Sequence, residues 1–193
     1  MIILGIDPGL ATVGFGVIMF ERNRFTTIDY GAIITPPHIP VHERLLMIYG
    51  EMQKTIEKHK PDDLAIEELF FNTNQKTVIS VCEARGVILL SAYQKGLNIY
   101  EYTPLQVKQS VVGYGRAEKK QVQTMVKNIL RLEKIPKPDD AADAVALAIC
   151  HAHSKSTHNL FELMNGRGRE SPGSAEPPSF AKEGKGRERK SYK

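Results

Sequence analysis

The hydrophobic and polar positions divide the chain into ten predicted elements. Ile2, Ile3, Leu4 and Ile6 form an apolar run that stops at Asp7, where Pro8-Gly9 forces a turn, so residues 2–7 read as a buried strand. Residues 13–20 and 25–34 read as two further strands, and their short connections suit an antiparallel meander. Pro36, Pro37 and Pro40 end that meander, and a helix is expected over 41–58, with Leu45, Ile48, Tyr49, Met52 and Ile56 on one stripe. After the break at Pro61-Asp62-Asp63, residues 64–67 read as a short fourth strand that also ends on an acid, Glu67. A polar loop, Asn72-Thr73-Asn74-Gln75, leads to a second helix over roughly 76–95, and residues 98–102 form a fifth strand. Pro104 suits the first turn of a short helix to about 111. The amphipathic pattern of Val122, Met125, Val126, Ile129 and Leu130 predicts a helix over 117–132. A last helix, Ala-rich and apolar on several sides, is expected to be buried from Asp139 or Asp140 to about His153. Three meander strands followed by alternating helices and strands predict an α/β sheet with helices on its faces.

Composition adjusts this picture at the C-terminus. Apolar residues make up 41% of the 193, enough for a proper core, but they thin out after Ser154 in favour of Gly, Ser, Pro and charged residues. The expectation is a body over 1–154 and a basic tail over 155–193, disordered from about Gly166. Of 26 basic and 22 acidic residues, nine and five lie in 155–193, which leaves the body with seventeen of each. The net +4 is therefore the tail's, and the basic pI does not describe the body. Within the body, residues 108–137 hold eight basic residues against Glu118 and Glu133, a local excess suited to polyanions. The first residues carry no basic stretch before a long apolar run, and no apolar run approaches membrane-spanning length, so a cytoplasmic protein is expected. Cys82 and Cys150 lie in helical patterns without ligand spacing and read as buried small hydrophobes, not as a disulfide or a zinc pair.

Candidate chemistry sits at the ends of elements. A carboxylate fixed at the end of a buried strand costs free energy unless it is paired or bound to a cation. Asp7 is such a group, although an Asp there can also cap its own turn. Glu67 ends the fourth strand, and Asp140 and Asp143, at i and i+3, share a face at the start of the last helix. If the first and fourth strands are parallel neighbours, Asp7 and Glu67 emerge together and the last helix can bring its two acids to them. Four carboxylates at one point are stable around cations, and such an all-oxygen site suits Mg²⁺ or Mn²⁺. Two such ions can assist phosphodiester displacement by water without a nucleophilic side chain. The plain alternatives are solvated strand ends and acids that complement a helix dipole, which explain less well why Asp143 enters an apolar helix. His151 and His153, at i and i+2, do not share a helix face and read as helix-end cations.

Several motifs in order resemble the RuvC-type Holliday-junction resolvases: Ile3-Leu4-Gly5-Ile6-Asp7-Pro8-Gly9, Ala65-Ile66-Glu67 with Phe70 following, Glu83-Ala84-Arg85-Gly86, Gln106-Val107-Lys108-Gln109, Ala117-Glu118-Lys119 and Asp140-Ala141-Ala142-Asp143-Ala144. The resemblance covers about residues 1–154 and leaves out the long basic tail. It implies an RNase H-like five-stranded mixed sheet with helices on both faces, a homodimer, and Mg²⁺-dependent paired cuts across a four-way DNA junction. The products would carry 5′-phosphate and 3′-hydroxyl ends. By the same match Asp7, Glu67, Asp140 and Asp143 are the metal-binding catalytic acids for two Mg²⁺ per subunit, Mn²⁺ being an alternative, with Glu68 and Asp139 outside the set. Phe70 aligns with an aromatic that stacks on unpaired bases, and Lys108 and Lys119 align with basic residues near the scissile strand. Asn74, Arg85, Arg116 and Lys120 complete the expected DNA contacts, and the branch-migration proteins RuvA and RuvB are the implied partners. Two rivals stand beside this reading. A fragment of an actin- or sugar-kinase-like ATPase would share the strand-Asp-Gly start but needs two such domains and a second phosphate loop. A non-catalytic junction-binding protein would have no use for the acid quartet.

Overall fold

A strand that is apolar on both sides has to be covered on both sides, and β1 is such a strand. The computed structural model describes the backbone of residues 1–68 and 75–164, with all their side chains except those of 75–77 and 159–164. Its elements are β1 (Ile2–Asp7), β2 (Thr12–Glu21), β3 (Arg24–Ile34), α1 (Val41–His59), β4 (Asp63–Glu67), α2 (Gln75–Gln94), β5 (Asn98–Tyr102), α3 (Pro104–Val112), α4 (Lys119–Ile129) and α5 (Asp139–Met164). The strands form one sheet in the order β3-β2-β1-β4-β5. β1, β2 and β3 are antiparallel to one another, whereas β1-β4 and β4-β5 are parallel pairs. The expected mixed sheet with helices on both faces is the one observed.

The two-residue period of the strands sorts side chains between two cores. On one face Leu4, Ile6, Val13, Val17, Leu64 and Ile66 pack with Ile48, Met52 and Ile56 of α1 and Ala84, Ile88 and Ala92 of α2. On the other face Ile3, Ile18 and Ala65 pack with α4 and with the Ala-rich stretch of α5. The alternation that sends Ile3 and Ala65 towards α5 also sends Asp7 and Glu67 to that side, each four or two residues further on.

Two helices differ from the sequence expectation by more than one residue at an end. α4 is shorter than 117–132: Gln121 accepts the backbone N–H of Glu118 at 2.8 Å at its start, and Arg131 turns left-handed after its end (φ 52°). α5 runs on to Met164 instead of stopping near His153, so the expected edge of the body at 154 falls inside a helix. In the added turns Ser154 and Thr157 donate to the carbonyls of Cys150 and His153, and Lys155 ties the helix to Asp63. Cys82 is only half-buried, while Cys150 is buried as expected.

His151 is not a helix-end cation. It is buried at mid-helix, with Nε2 2.9 Å from Asp63 Oδ2 and Nδ1 2.7 Å from the Tyr102 hydroxyl. A carboxylate can only accept, so Nε2 carries the proton and Nδ1 accepts from Tyr102. Burial pushes Tyr102 up to about 12, so its hydroxyl keeps that proton. Lys155 Nζ donates to Asp63 Oδ2 at 2.6 Å, and Asn98 Nδ2 donates to Asp63 Oδ1 at 2.9 Å. The sequence reading treated Asp63 as part of a helix break, but it is the fully buried first residue of β4. Burial alone would raise the Asp63 carboxyl, but bonds from His151, Lys155 and Asn98 outweigh it and hold the group well below the usual carboxylate range.

Asp63→Asn is expected to lower stability at pH 7 by about 2–4 kcal/mol, because it takes the counter-charge from Lys155 and puts an NH2 group where a buried oxygen accepts from His151, Lys155 or Asn98. The wild-type carboxyl is depressed in the fold, so its contribution is present above the ordinary Asp value near 4 and fades as pH falls below it. Urea titrations should therefore show the wild-type advantage shrinking below about pH 4. A gap that stays constant from pH 7 to pH 3 would mean that Asp63 does not act through its charge.

Candidate active site

Parallel pairing aligns Ile6 with Ile66, so Asp7 and Glu67 leave the same end of two adjacent strands. Asp143 joins them from the first turns of α5, and the three line one cleft with Lys108, Lys119 and the apolar wall of Pro104, Val107 and Val122. α5 can lie this close because three glycines sit beneath it. A Cβ on Gly5 would overlap the Ala144 carbonyl, one on Gly14 the Asp140 carbonyl, and one on Gly16 the Val145 side chain. At Gly14 the contact is with the backbone that carries Asp140 itself.

The carboxylates perturb one another strongly. Asp7 is raised to about 8, first by burial and then by the charges of Glu67, Asp143 and Asp140, with Lys119 opposing. Glu67 is raised by burial and by Asp143, offset by Lys119 and by a hydrogen bond with Asp7. Burial also raises Asp143, against the pull of Lys119. Lys119 Nζ lies 2.7 Å from Asp143 Oδ2, and that bond raises the lysine. The cluster thus retains a proton at neutral pH unless more positive charge enters. Its donors are all carboxylate oxygens, the chemistry that suits hard divalent cations. Among the described residues no three acidic, His or Cys side chains converge, as they stand, on a single ion; the ammonium of Lys119 lies among the carboxylates instead.

Asp140 faces an adjoining pocket with the 9–12 turn and Arg44 rather than the main cleft, although its charge is felt at Asp7. Asp139 is turned away to Lys137 at 2.7 Å, and Glu68 is exposed beyond the strand end. Arg116 and Lys120 are exposed at the start of α4, and Lys108 is half-buried in the cleft. Arg85 is placed differently from the other cations. Its Nη2 is 2.6 Å from Glu101 Oε2 and its Nε points at the Glu67 carbonyl at 3.4 Å, so it braces the strand end that carries Glu67. Glu101 was absent from the sequence reading; its alignment with Ile66 across β4 and β5 is what sets it beside that end. Phe70 and Asn74 lie outside the described residues.

Comparison with known proteins identifies the family. The family model described as "Crossover junction endodeoxyribonuclease RuvC" matches residues 3–151. A protein of that name from Alkaliphilus oremlandii is 59% identical over 163 residues, 84% of this chain and 99% of the relative. The structure of Thermus thermophilus RuvC in complex with a Holliday junction substrate superposes with a TM-score of 0.78 at 33% identity, over 82% of this chain and 96% of that one. A yeast mitochondrial Holliday junction resolvase shares the fold, with a TM-score of 0.63 at 12% identity, over 86% of this chain and 85% of that one. The chain belongs to the RuvC family of crossover junction endodeoxyribonucleases.

Proposed function

We propose that this protein resolves four-way DNA junctions by paired phosphodiester cleavage in recombination and repair, with Asp7, Glu67, Asp140 and Asp143 as its catalytic acids. The observation that carries this reading is the meeting of Asp7, Glu67 and Asp143 beside Lys119 in one cleft, with Asp140 one helical turn away. Mg²⁺, two ions per subunit with Mn²⁺ as an alternative, is the cation these oxygens fit, and when bound it supplies Lewis-acid activation of water and charge neutralisation at the phosphate. The chain's own part is to hold the carboxylates close together and desolvated. Lys108 and Lys119 draw the scissile strand in by its phosphates. Hydrolysis with the 3′-oxygen leaving gives 5′-phosphate and 3′-hydroxyl ends.

Arg116 and Lys120 extend this cationic margin, and Phe70 and Asn74 complete the DNA contacts in this reading, the ring of Phe70 by base stacking. Arg85 serves as a brace for Glu67 rather than as a DNA contact, on account of its pairing with Glu101. Paired cuts need two active sites, and a homodimer supplies them. Ile79, Leu90 and Tyr93 lie exposed on one face of α2, where a Cβ on Gly86 would meet open space. Leu46 and Met47 of α1 are exposed as well. Such a face suits a second copy of the chain. RuvA and RuvB are the partners the family implies. The reading places the protein in the cytoplasm; no described helix is long and apolar enough to cross a membrane.

Asp7→Asn should cut cleavage of a synthetic four-way junction by at least about 10²-fold and leave junction binding intact. Its effect on metal-free stability has the opposite sign. The Asp7 carboxyl is raised to about 8, so the wild type is fully stable below the ordinary Asp range and loses stability as pH rises towards 8. In chelator at pH 8 the variant should melt about 2–10 °C above wild type, and the gap should close towards pH 4–5. Near-normal nicking by Asp7→Asn would sink the assignment of the acids.

Lys119→Ala should weaken junction binding and reduce the slope of log K against log salt by about 0.9, the value for one neutralised phosphate. An unchanged slope would leave Lys119 a role only towards Asp143.

Deleting 166–193 should leave melting and junction cleavage unchanged while weakening binding to plain duplex at low salt. The family model ends at residue 151, and the basic excess lies in 155–193. A clearly lower melting temperature would show that this segment docks on the body.

A further inference from the structure

Asp140 and Asp143 sit at i and i+3 but open onto different spaces. Asp143 lines the catalytic cleft with Lys108 and Lys119, whereas Asp140 lines an adjoining pocket formed by the 9–12 turn, Arg44 and Ser80. The acid cluster therefore has a cleft on either side, each with its own cation. The second cation has no place in the reading above, which takes all its phosphate contacts from α3 and α4.

Arg44 is fixed in place. Its Nε donates to Thr35 Oγ1 at 2.8 Å, and Thr35 is only 2% exposed. The Thr35 hydroxyl donates to the Leu10 carbonyl, and its N–H donates to the Ala11 carbonyl at 3.1 Å. The turn that follows Asp7 thus anchors the guanidinium as well. Among the described residues Arg44 makes no ion pair, in contrast to Arg85, whose charge is taken up by Glu101. With Nε engaged, the two terminal nitrogens remain, a planar pair that matches two oxygens of a phosphate. The anchoring also lowers the entropy lost when they bind.

We propose that this pocket is a second phosphate subsite, in which Arg44 binds the DNA backbone phosphate next to the scissile one on the strand being cut. A strand crossing four carboxylates meets repulsion on both sides of the cut. Lys108 and Lys119 offset it on one side, and Arg44 offsets it on the other. The inference rests on the nuclease reading and adds to it which residue holds the strand beyond Asp140.

The test uses the full chain, metal-free binding to a four-way junction, and junctions carrying a single neutral methylphosphonate at each phosphate flanking the cut. Arg44→Ala should weaken binding about tenfold at low salt and make the slope of log K against log salt shallower by about 0.9. Arg44→Lys should keep the wild-type slope. One methylphosphonate position beside the cut should weaken the wild type yet cost Arg44→Ala nothing further. If Arg44→Ala melts early, Arg44→Gln replaces it, since it can still donate to Thr35. A wild-type slope in the neutral variant, or losses that add at every methylphosphonate position, overturns the proposal. A wild-type protein that fails to cut the junction would instead overturn the nuclease reading, so the two failures are distinguishable.

Discussion

The close approach of α5 to the backbone of β1 and β2 is the constraint on which the rest of the structure depends. At Gly5, Gly14 and Gly16 no strand side chain holds the helix off, and at Gly5 and Gly14 the helix backbone itself rests on the strand. At ordinary packing distance the two acids of α5 would stand a side chain's width above Asp7 and Glu67. Small residues on the other side of the contact, Ala141, Ala144 and Ala148, are buried and serve the same approach. Glycine weakens a strand interior, and here the loss is offset by the burial of a long apolar helix against the sheet.

With α5 seated, its register along β4 is set at two places. Asp63 and Glu67 are four strand steps apart, about 13 Å; Asp143 and His151 are eight helical steps apart, about 12 Å. The lengths match because helix and strand run in opposite directions, with His151 held by Asp63 at one end and Asp143 beside Glu67 at the other. The first contact is a hydrogen-bonded network in which buried Asp63, His151 and Tyr102 are joined from the rim by Asn98 and Lys155. The second is a cluster of like charges that raises its own members. Stability gathered in the first can hold the strained electrostatics of the second in place.

Much of this was legible in the sequence where the physics is local. β1 and β5 have the expected bounds, and Asp7 and Glu67 meet because acids at the ends of parallel neighbours must. The misses depend on residues far apart in the chain. Asp63 follows a proline and another acid, so it reads as a helix breaker, and its partner is 88 residues away. A signal was available: in Asp63-Leu64-Ala65-Ile66-Glu67 the two-residue period places both acids on one face, and the eight-residue spacing from Asp143 selects His151. The partner of Arg85 was hidden in the same way, because only the pairing of β4 with β5 sets Glu101 beside it. The extent of α5 past Ser154 was hidden because the residues there are polar and the one that ties them to the sheet, Lys155, reaches Asp63 far away in the chain.

The positions of the cations follow the same division. Those that brace the fold, Arg85 and Lys155, are committed to carboxylates outside the acid cluster. Of those at the cluster, Lys108 and Arg44 make no ion pair among the described residues, and Lys119 is tied to one of the acids. Lys119 is half-exposed and tied to Asp143, which makes it an exchangeable counter-charge: a phosphate can compete for its ammonium, and a cation can compete for the carboxylate. A nuclease of this design has to hold repelling acids together both before and after its substrate and ions arrive. A buried, permanent ion pair at Asp143 would stabilise the fold and block the site, whereas a lysine on the rim of the cleft can neutralise the cluster without closing it.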